Sequence, residues 1–223
     1  MAPLLHLERA AGGDPEGLLV LHHGRGTDES DLLGLADFLD PERRLRVVTP
    51  RAPLQLPGSP GYHWYLVPRV GYPDPETFAA ARAALAELHD ELWEETGVGP
   101  ERTVLGGFSM GAVMSYATAL SAERPPVAGI LAFSGFVPTV EGWAPSLADR
   151  TETKAFVSHG RNDPVIGVEF AERARELLSA GGLDVTYRES ELGHQIEPAH
   201  LREASAWVGE LLRLGGGRRT AGH

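Results

Sequence analysis

Short apolar runs alternate with longer segments of helical periodicity along most of the chain, and this alternation narrows the fold more than any other feature. Apolar runs near residues 4–8, 18–23, 45–49, 103–108, 128–133, 154–159 and 184–190 read as strands. Segments near 29–39, 75–95, 110–121, 167–180 and 198–213 read as helices. The segment from Pro75 puts Phe78, Leu85, Leu88 and Leu92 on one face and Glu76, Arg82, Glu87 and Glu91 elsewhere. The last segment repeats the pattern with Leu201, Ala204, Trp207, Val208 and Leu211, which assigns Trp207 to the core. Strands that alternate with helices predict an α/β fold with a mostly parallel sheet covered on both faces. The length of 223 residues suits one domain over residues 1–214, with a flexible glycine-rich tail at 215–223.

Composition removes several functional classes. A formal net charge of −11 argues against sequence-independent nucleic-acid binding. The absence of cysteine excludes a disulfide framework, a thiolate nucleophile and a cysteine-based metal site. No apolar stretch approaches the ~20 residues that span a bilayer. The first residues carry neither a basic leader nor a long apolar region. Together these predict a cytoplasmic protein without a membrane span.

Chemistry enters at Gly107-Phe108-Ser109-Met110-Gly111, which follows the apolar run Thr103-Val104-Leu105-Gly106 and precedes a breaker-free segment of small residues. A strand, a Gly-X-Ser-X-Gly turn and a helix form the context of a nucleophile elbow. Its flanks require glycine because a Cβ there would strike the neighbouring strand or helix. Two further strand ends supply partners. Asp163 follows the strand at 154–159, and His194 follows the strand at 184–190. Each has a plain alternative, Asp163 as a helix cap and His194 as a loop histidine. The order Ser109, Asp163, His194, each after a strand, is that of the α/β-hydrolases, with nucleophile, orienting acid and general base in turn. Ser134 also follows a strand, but lacks the second flanking Gly-X pattern.

The turn Gly24-Arg25-Gly26 after the run 18–23 allows the backbone to approach the serine. The N–H groups of Arg25 and Met110 are then the expected oxyanion donors. Asp28 or Ser30 is expected to cap the helix that follows. Adjacent His22 and His23 point to opposite sides of a strand, so they make no chelating pair and no metal site is expected. Residues 50–75 break the alternation with prolines, glycines and the aromatics Tyr62, Trp64, Tyr65 and Tyr72. Long irregular loops of this kind are often functional. Two readings stand side by side: a rim or partial lid over the site, or a surface loop whose aromatics pack on the body. Trp64 is the candidate for direct substrate contact, and Phe108, Phe136, Val165 and Ile166 are expected to line the acyl side.

The set His23-Gly24-Arg25-Gly26, Gly107-Phe108-Ser109-Met110-Gly111, His159-Gly160-Arg161-Asn162-Asp163-Pro164-Val165 and Gly193-His194 resembles the phospholipase/carboxylesterase family, which includes acyl-protein thioesterases and small bacterial esterases. The resemblance runs from about residue 18 to 212. It implies an α/β-hydrolase fold without a large cap domain, and hydrolysis of a small-molecule ester with no cofactor, by a monomer or weak homodimer. It also implies the same roles for Ser109, Asp163, His194, Arg25 and Met110. The thioesterase branch commonly carries leucine where this chain has Arg25, so short to medium acyl chains are expected. The Arg25 side chain is expected to pair with Asp28 or Asp31, the other reading being a substrate carboxylate. Alternatives to a carboxylesterase are a thioesterase or lysophospholipase-like hydrolase, and a ligand-binding protein with little turnover.

Overall fold

The structure, a computed structural model, describes residues 3–215. A seven-stranded sheet forms its centre. In chain order the strands are β1 (His6–Arg9), β2 (Gly17–His22), β3 (Leu45–Pro50), β6 (Thr103–Phe108), β7 (Gly129–Phe133), β8 (Lys154–Gly160) and β9 (Asp184–Ser190). Their spatial order is β1-β3-β2-β6-β7-β8-β9. Only β1 runs antiparallel to its neighbour. A two-stranded ribbon, β4 (Leu54–Gln55) with β5 (Tyr62–His63), stands apart from the sheet. The ribbon lies within the 50–75 segment, which therefore has structure of its own where none was expected.

Side-chain alternation along the strands divides the core. Leu18, Val20 and Leu105 face one side, where they pack with Leu88 and Leu92 of α2 (Pro75–Thr96), Tyr116 of α3 (Met110–Ala119) and Ala174 of α4 (Val168–Ala180). Leu19, Leu21 and Val104 face the other side, against Leu39 of α1 (Ala36–Leu39) and Ala204, Trp207 and Val208 of α5 (Pro198–Gly215). Buried area on both faces is what a parallel sheet requires. Trp207 packs on Phe156 as core, as its helical phase predicts. The expected tail at 215–223 lies, beyond Gly215, outside the described residues.

Local chemistry sets the helix ends. Asp74 caps α2 by accepting from the Thr77 N–H at 2.9 Å, Pro75 opens the first turn, and Gly97 closes it at φ 66°. α3 is buried on every side and carries no charge. At its C-terminal end the buried Arg150 guanidinium donates to the carbonyls of Ala119, Ser121 and Arg124, which satisfies orphaned acceptors and complements the helix dipole. The helix expected at 29–39 is shorter: a 3-10 turn at Leu33–Leu35 leads into α1. Asp28 caps no helix. Its carboxylate accepts from the N–H and hydroxyl of Ser30, a local turn that competes with helix.

Two histidines are buried as neutral rings beneath this framework. His89 of α2 lies 6.0 Å from His22 of β2, ring centre to ring centre, and neither Nε2 has a partner among the described residues. Burial first, and then the Arg124 charge, push the His89 pKa down to about 3. Burial, followed by His89 and His23, lowers His22 well below the ordinary imidazole value. A folded-state pKa below the unfolded value of about 6.5 means that the unfolded chain takes up protons first as pH falls. The stabilisation is complete above that pH and declines below it. We predict that His89→Gln flattens the acid limb of stability, measured by urea denaturation, by about 1.4 kcal/mol per pH unit below pH ~5.5. Parallel wild-type and variant curves would contradict this.

Candidate active site

Parallel register brings the C-terminal ends of the strands to one edge. His22 pairs with Gly107, Phe108 with Phe133, and Gly160 with Ser190. Open α/β sheets bind ligands at this edge. Ser109 alone makes the turn from β6 to α3, at φ 55°, a region costly for a residue with a side chain. Its N–H donates to the Phe133 carbonyl at 2.9 Å. A Cβ on Gly107 would stand 2.6 Å from the His22 carbonyl oxygen, and one on Gly111 would overlap that oxygen outright. Both flanks are held to glycine by contact with the end of β2. Ser134 repeats the positive φ at 52°, but it is 1% exposed and lines neither cleft described below.

The Ser109 hydroxyl lies 2.8 Å from His194 Nε2, and His194 Nδ1 lies 2.6 Å from Asp163 Oδ2. An ionised carboxylate only accepts, so Nδ1 carries the proton and Nε2 accepts from Ser109. The second Asp163 oxygen accepts from the N–H groups of Val165 (2.8 Å) and Ile166 (2.9 Å) in a local turn; Asp163 caps no helix, since α4 begins after Gly167. Burial alone would raise the Asp163 pKa. The Ile166 N–H, the His194 ring and the Val165 N–H outweigh it and hold the carboxyl below its ordinary value. Phe108 packs on the His194 ring at 4.9 Å between centres. Beneath them His159, which no role was assigned from sequence, donates from Nε2 to the Ile166 carbonyl at 2.8 Å and sits 3.4 Å from Asp163 Oδ2. Its signal was its place four residues before Asp163 on the same strand end.

The Ser109 side chain does not cap α3, so the helix presents uncapped N–H groups at its start. The turn after β2 closes on this point: a Cβ on Gly24 would lie 3.6 Å from the Ser109 Cβ. Neither the Arg25 nor the Met110 N–H donates to an acceptor among the described residues. His23 anchors the turn. Its Nδ1 lies 2.7 Å from the Gly24 carbonyl and its Nε2 accepts from the Ala52 N–H at 3.0 Å, which defines a neutral ring protonated at Nδ1. Burial lowers its pKa against the pull of the Gly24 carbonyl. His22 bonds Ser115 instead at 2.8 Å. The two rings thus have separate protein partners.

Two clefts meet at Ser109 and His194. The first, about 400 Å³, is lined by Tyr65, Val67, Val70, Met110, Phe136, Val165 and Ile166, with Arg25 at its edge. The second, about 430 Å³, runs past Thr27, Asp31, Leu35, Phe108 and Ile196, again with Arg25. Phe136, Val165 and Ile166 therefore line the first cleft, and Phe108 belongs to the second. Trp64 requires correction. It is 0% exposed and reaches neither cleft, because its indole N–H donates to the His23 carbonyl at 2.9 Å and its ring packs against His22 and His23. Tyr65, Val67 and Val70, unassigned from sequence, form the wall instead; valines between the prolines and glycines of the aromatic segment were the available signal. The inner part of that segment packs on the body, while Leu66, Val67, Val70 and Tyr72 stay exposed at the rim. The expected ion pair of Arg25 is also corrected. Its side chain is exposed, and no carboxylate among the described residues lies within 4.0 Å of it. Asp31 accepts from Thr27, and Glu29 pairs with Arg51.

Burial of Trp64 without access to either cleft yields a prediction. Trp64→Phe removes the bond to His23 and lowers stability by about 1 to 2 kcal/mol, read as a fall in the denaturation midpoint. It leaves KM for a p-nitrophenyl ester unchanged; a raised KM would place the indole in contact with substrate.

Comparison with known proteins agrees with this architecture. Residues 9–211 match the family described as Phospholipase/Carboxylesterase. Acyl-protein thioesterase 1 of Gibberella zeae is 33% identical over 132 residues, which span 56% of this chain and about half, 55%, of that relative. Esterase YpfH of Escherichia coli is 30% identical over 185 residues, covering 81% of this chain and 76% of its own length. Among solved structures, esterase PE8 superposes with a TM-score of 0.81 at 32% identity, over 94% of this chain and all of that one. With strand order, strand-end turns and family match in agreement, the chain belongs to the phospholipase/carboxylesterase family of α/β-hydrolases.

Proposed function

We propose that this protein is a serine carboxylesterase that hydrolyses short- to medium-chain esters through an acyl-enzyme on Ser109. The continuous hydrogen-bonded relay from Ser109 through His194 to Asp163 is the observation that supports it most. His194 takes the Ser109 proton as the hydroxyl attacks the ester carbonyl. Asp163 fixes the tautomer and stabilises the imidazolium that forms. The Arg25 and Met110 N–H groups, without an acceptor among the described residues, receive the oxyanion. His194 then protonates the departing alcohol, and water repeats the sequence on the acyl-enzyme. The reaction draws on these side chains and two main-chain donors, with no cofactor. Residues 1–214 act as one domain in this scheme.

The first cleft supports the choice of acyl group. At about 400 Å³ it lies at the small end of the ~300–1,000 Å³ range of ligand sites. Its walls are apolar, with Phe136 and Ile166 buried behind the rim. A thioester substrate uses the same parts, since acyl transfer from sulfur needs the same nucleophile, base and oxyanion donors. The name of the Gibberella zeae relative makes a thioester the necessary comparison.

Two outcomes test this function. Ser109→Ala lowers turnover by about 10⁶-fold and abolishes labelling by a fluorophosphonate, while the melting temperature stays near that of the wild type. Undiminished turnover by the variant would remove Ser109 from the mechanism. In a panel of p-nitrophenyl esters, with one thioester included, kcat/KM peaks between butyrate and octanoate. A peak at palmitate would contradict the chain-length assignment.

A further inference from the structure

Arg25 is anomalous among the charged groups near the site. This is an acidic protein, with 31 Asp and Glu against 20 Lys and Arg, and ten of its arginines pair with carboxylates among the described residues. Arg25 has no carboxylate within 4.0 Å among the described residues, although Asp28 and Asp31 are close in sequence. Those two acids are engaged locally, Asp28 with Ser30 and Asp31 with Thr27. The guanidinium acts in the other direction. After burial itself, its charge is what depresses the pKa of His63, on the aromatic segment that leads to the wall of the first cleft.

The surroundings of the two clefts then decide what a substrate must carry. Arg25 lines both. In the second cleft Asp31 lies alongside it and opposes an anion. In the first, Arg25 is the one permanently charged side chain of the lining among the described residues, beside Ser109, His194, Tyr65 and the apolar side chains of the wall. A neutral chain leaves a solvated guanidinium at the edge of that wall with nothing to bind. A chain ending in a carboxylate fills the wall with its methylenes and meets the planar fork of N–H donors with its head.

We infer that Arg25 selects anionic substrates: esters whose apolar portion occupies the cleft between Tyr65 and Phe136 and bears a carboxylate that pairs with the Arg25 guanidinium. This rests on the ester-hydrolase reading of Ser109 and sharpens it from a chain length to a charge. The side chain of Arg25 thus has a task separate from that of its main-chain N–H.

The test compares matched esters in the intact protein. One pair places the charge on the acyl side: mono-4-nitrophenyl adipate against 4-nitrophenyl hexanoate, which ends in a methyl group instead. A second pair places it on the alcohol side: the hexanoyl ester of 4-hydroxybenzoate against that of 4-hydroxybenzamide. The readout is the charged-to-neutral ratio of kcat/KM within each protein, so a general change in turnover cancels. The wild type favours the charged ester in at least one pair by about tenfold, the low end for a hydrogen bond to a charged group. Arg25→Leu removes the preference, Arg25→Lys retains a weaker one, and added salt erodes it. The pair that responds identifies which side of the ester bears the carboxylate. If the wild type cleaves neutral esters well and Arg25→Leu leaves both ratios unchanged, the charge selection is overturned while the esterase assignment stands. If no ester is cleaved and no fluorophosphonate is bound, the esterase assignment fails and the selection falls with it.

Discussion

The close approach of Gly111 to the His22 carbonyl sets the geometry on which the rest depends. It brings the first turn of α3 against the end of β2, with no side chain between them. One consequence is the strained backbone of Ser109, which turns its hydroxyl away from the helix and toward His194. Another is that the turn at Gly24 closes on the serine, a Cβ there standing 3.6 Å from the Ser109 Cβ. Strain of this kind persists only where the surroundings over-determine it. Here β2 and β7 flank the turn, and the apolar α3 is buried on every side.

The relay around His194 is assembled from three strand ends, so its precision comes from the register of the sheet. Asp163 shows how local and long-range demands are met together. One oxygen satisfies two N–H groups of its own loop, and the other serves His194. The backbone donors fix the carboxylate's orientation and favour its charge, while His159 braces the same loop through the Ile166 carbonyl. The carboxylate is thus oriented before any substrate arrives.

The fold and the relay were largely legible in the sequence because both follow from short-range patterns. Short apolar runs located all seven strands of the main sheet, helical apolar spacing marked the helices, and glycine flanks with a serine, aspartate and histidine after successive strands marked the site. What escaped depended on contacts distant in sequence or on local competition. The helix expected from residue 29 lost its first turns to the Asp28 side chain. Trp64 had the composition of a rim residue, but its indole found an acceptor on His23, 41 positions away, and sank into the core. Arg25 had three acids within six residues, and proximity in sequence favoured a pair with Asp28 or Asp31, but Asp28 engages Ser30, Glu29 pairs with Arg51 and Asp31 accepts from Thr27. Single strand ends are readable one at a time; the segment at 50–75 is shaped by what it touches.

That segment is tied to the Gly24-Arg25-Gly26 turn by more than proximity. His23 holds the Ala52 N–H with one ring nitrogen and the Gly24 carbonyl with the other, its own carbonyl receives the Trp64 indole, and Gly26 and Thr27 exchange backbone bonds with Tyr62. The part of the chain that walls the cleft is thereby the mount of the turn that carries Arg25. A change in the packing of this segment is therefore also felt at the Gly24-Arg25-Gly26 turn. The wall of the cleft and the turn beside Ser109 are thus one mechanical unit, held together through His23.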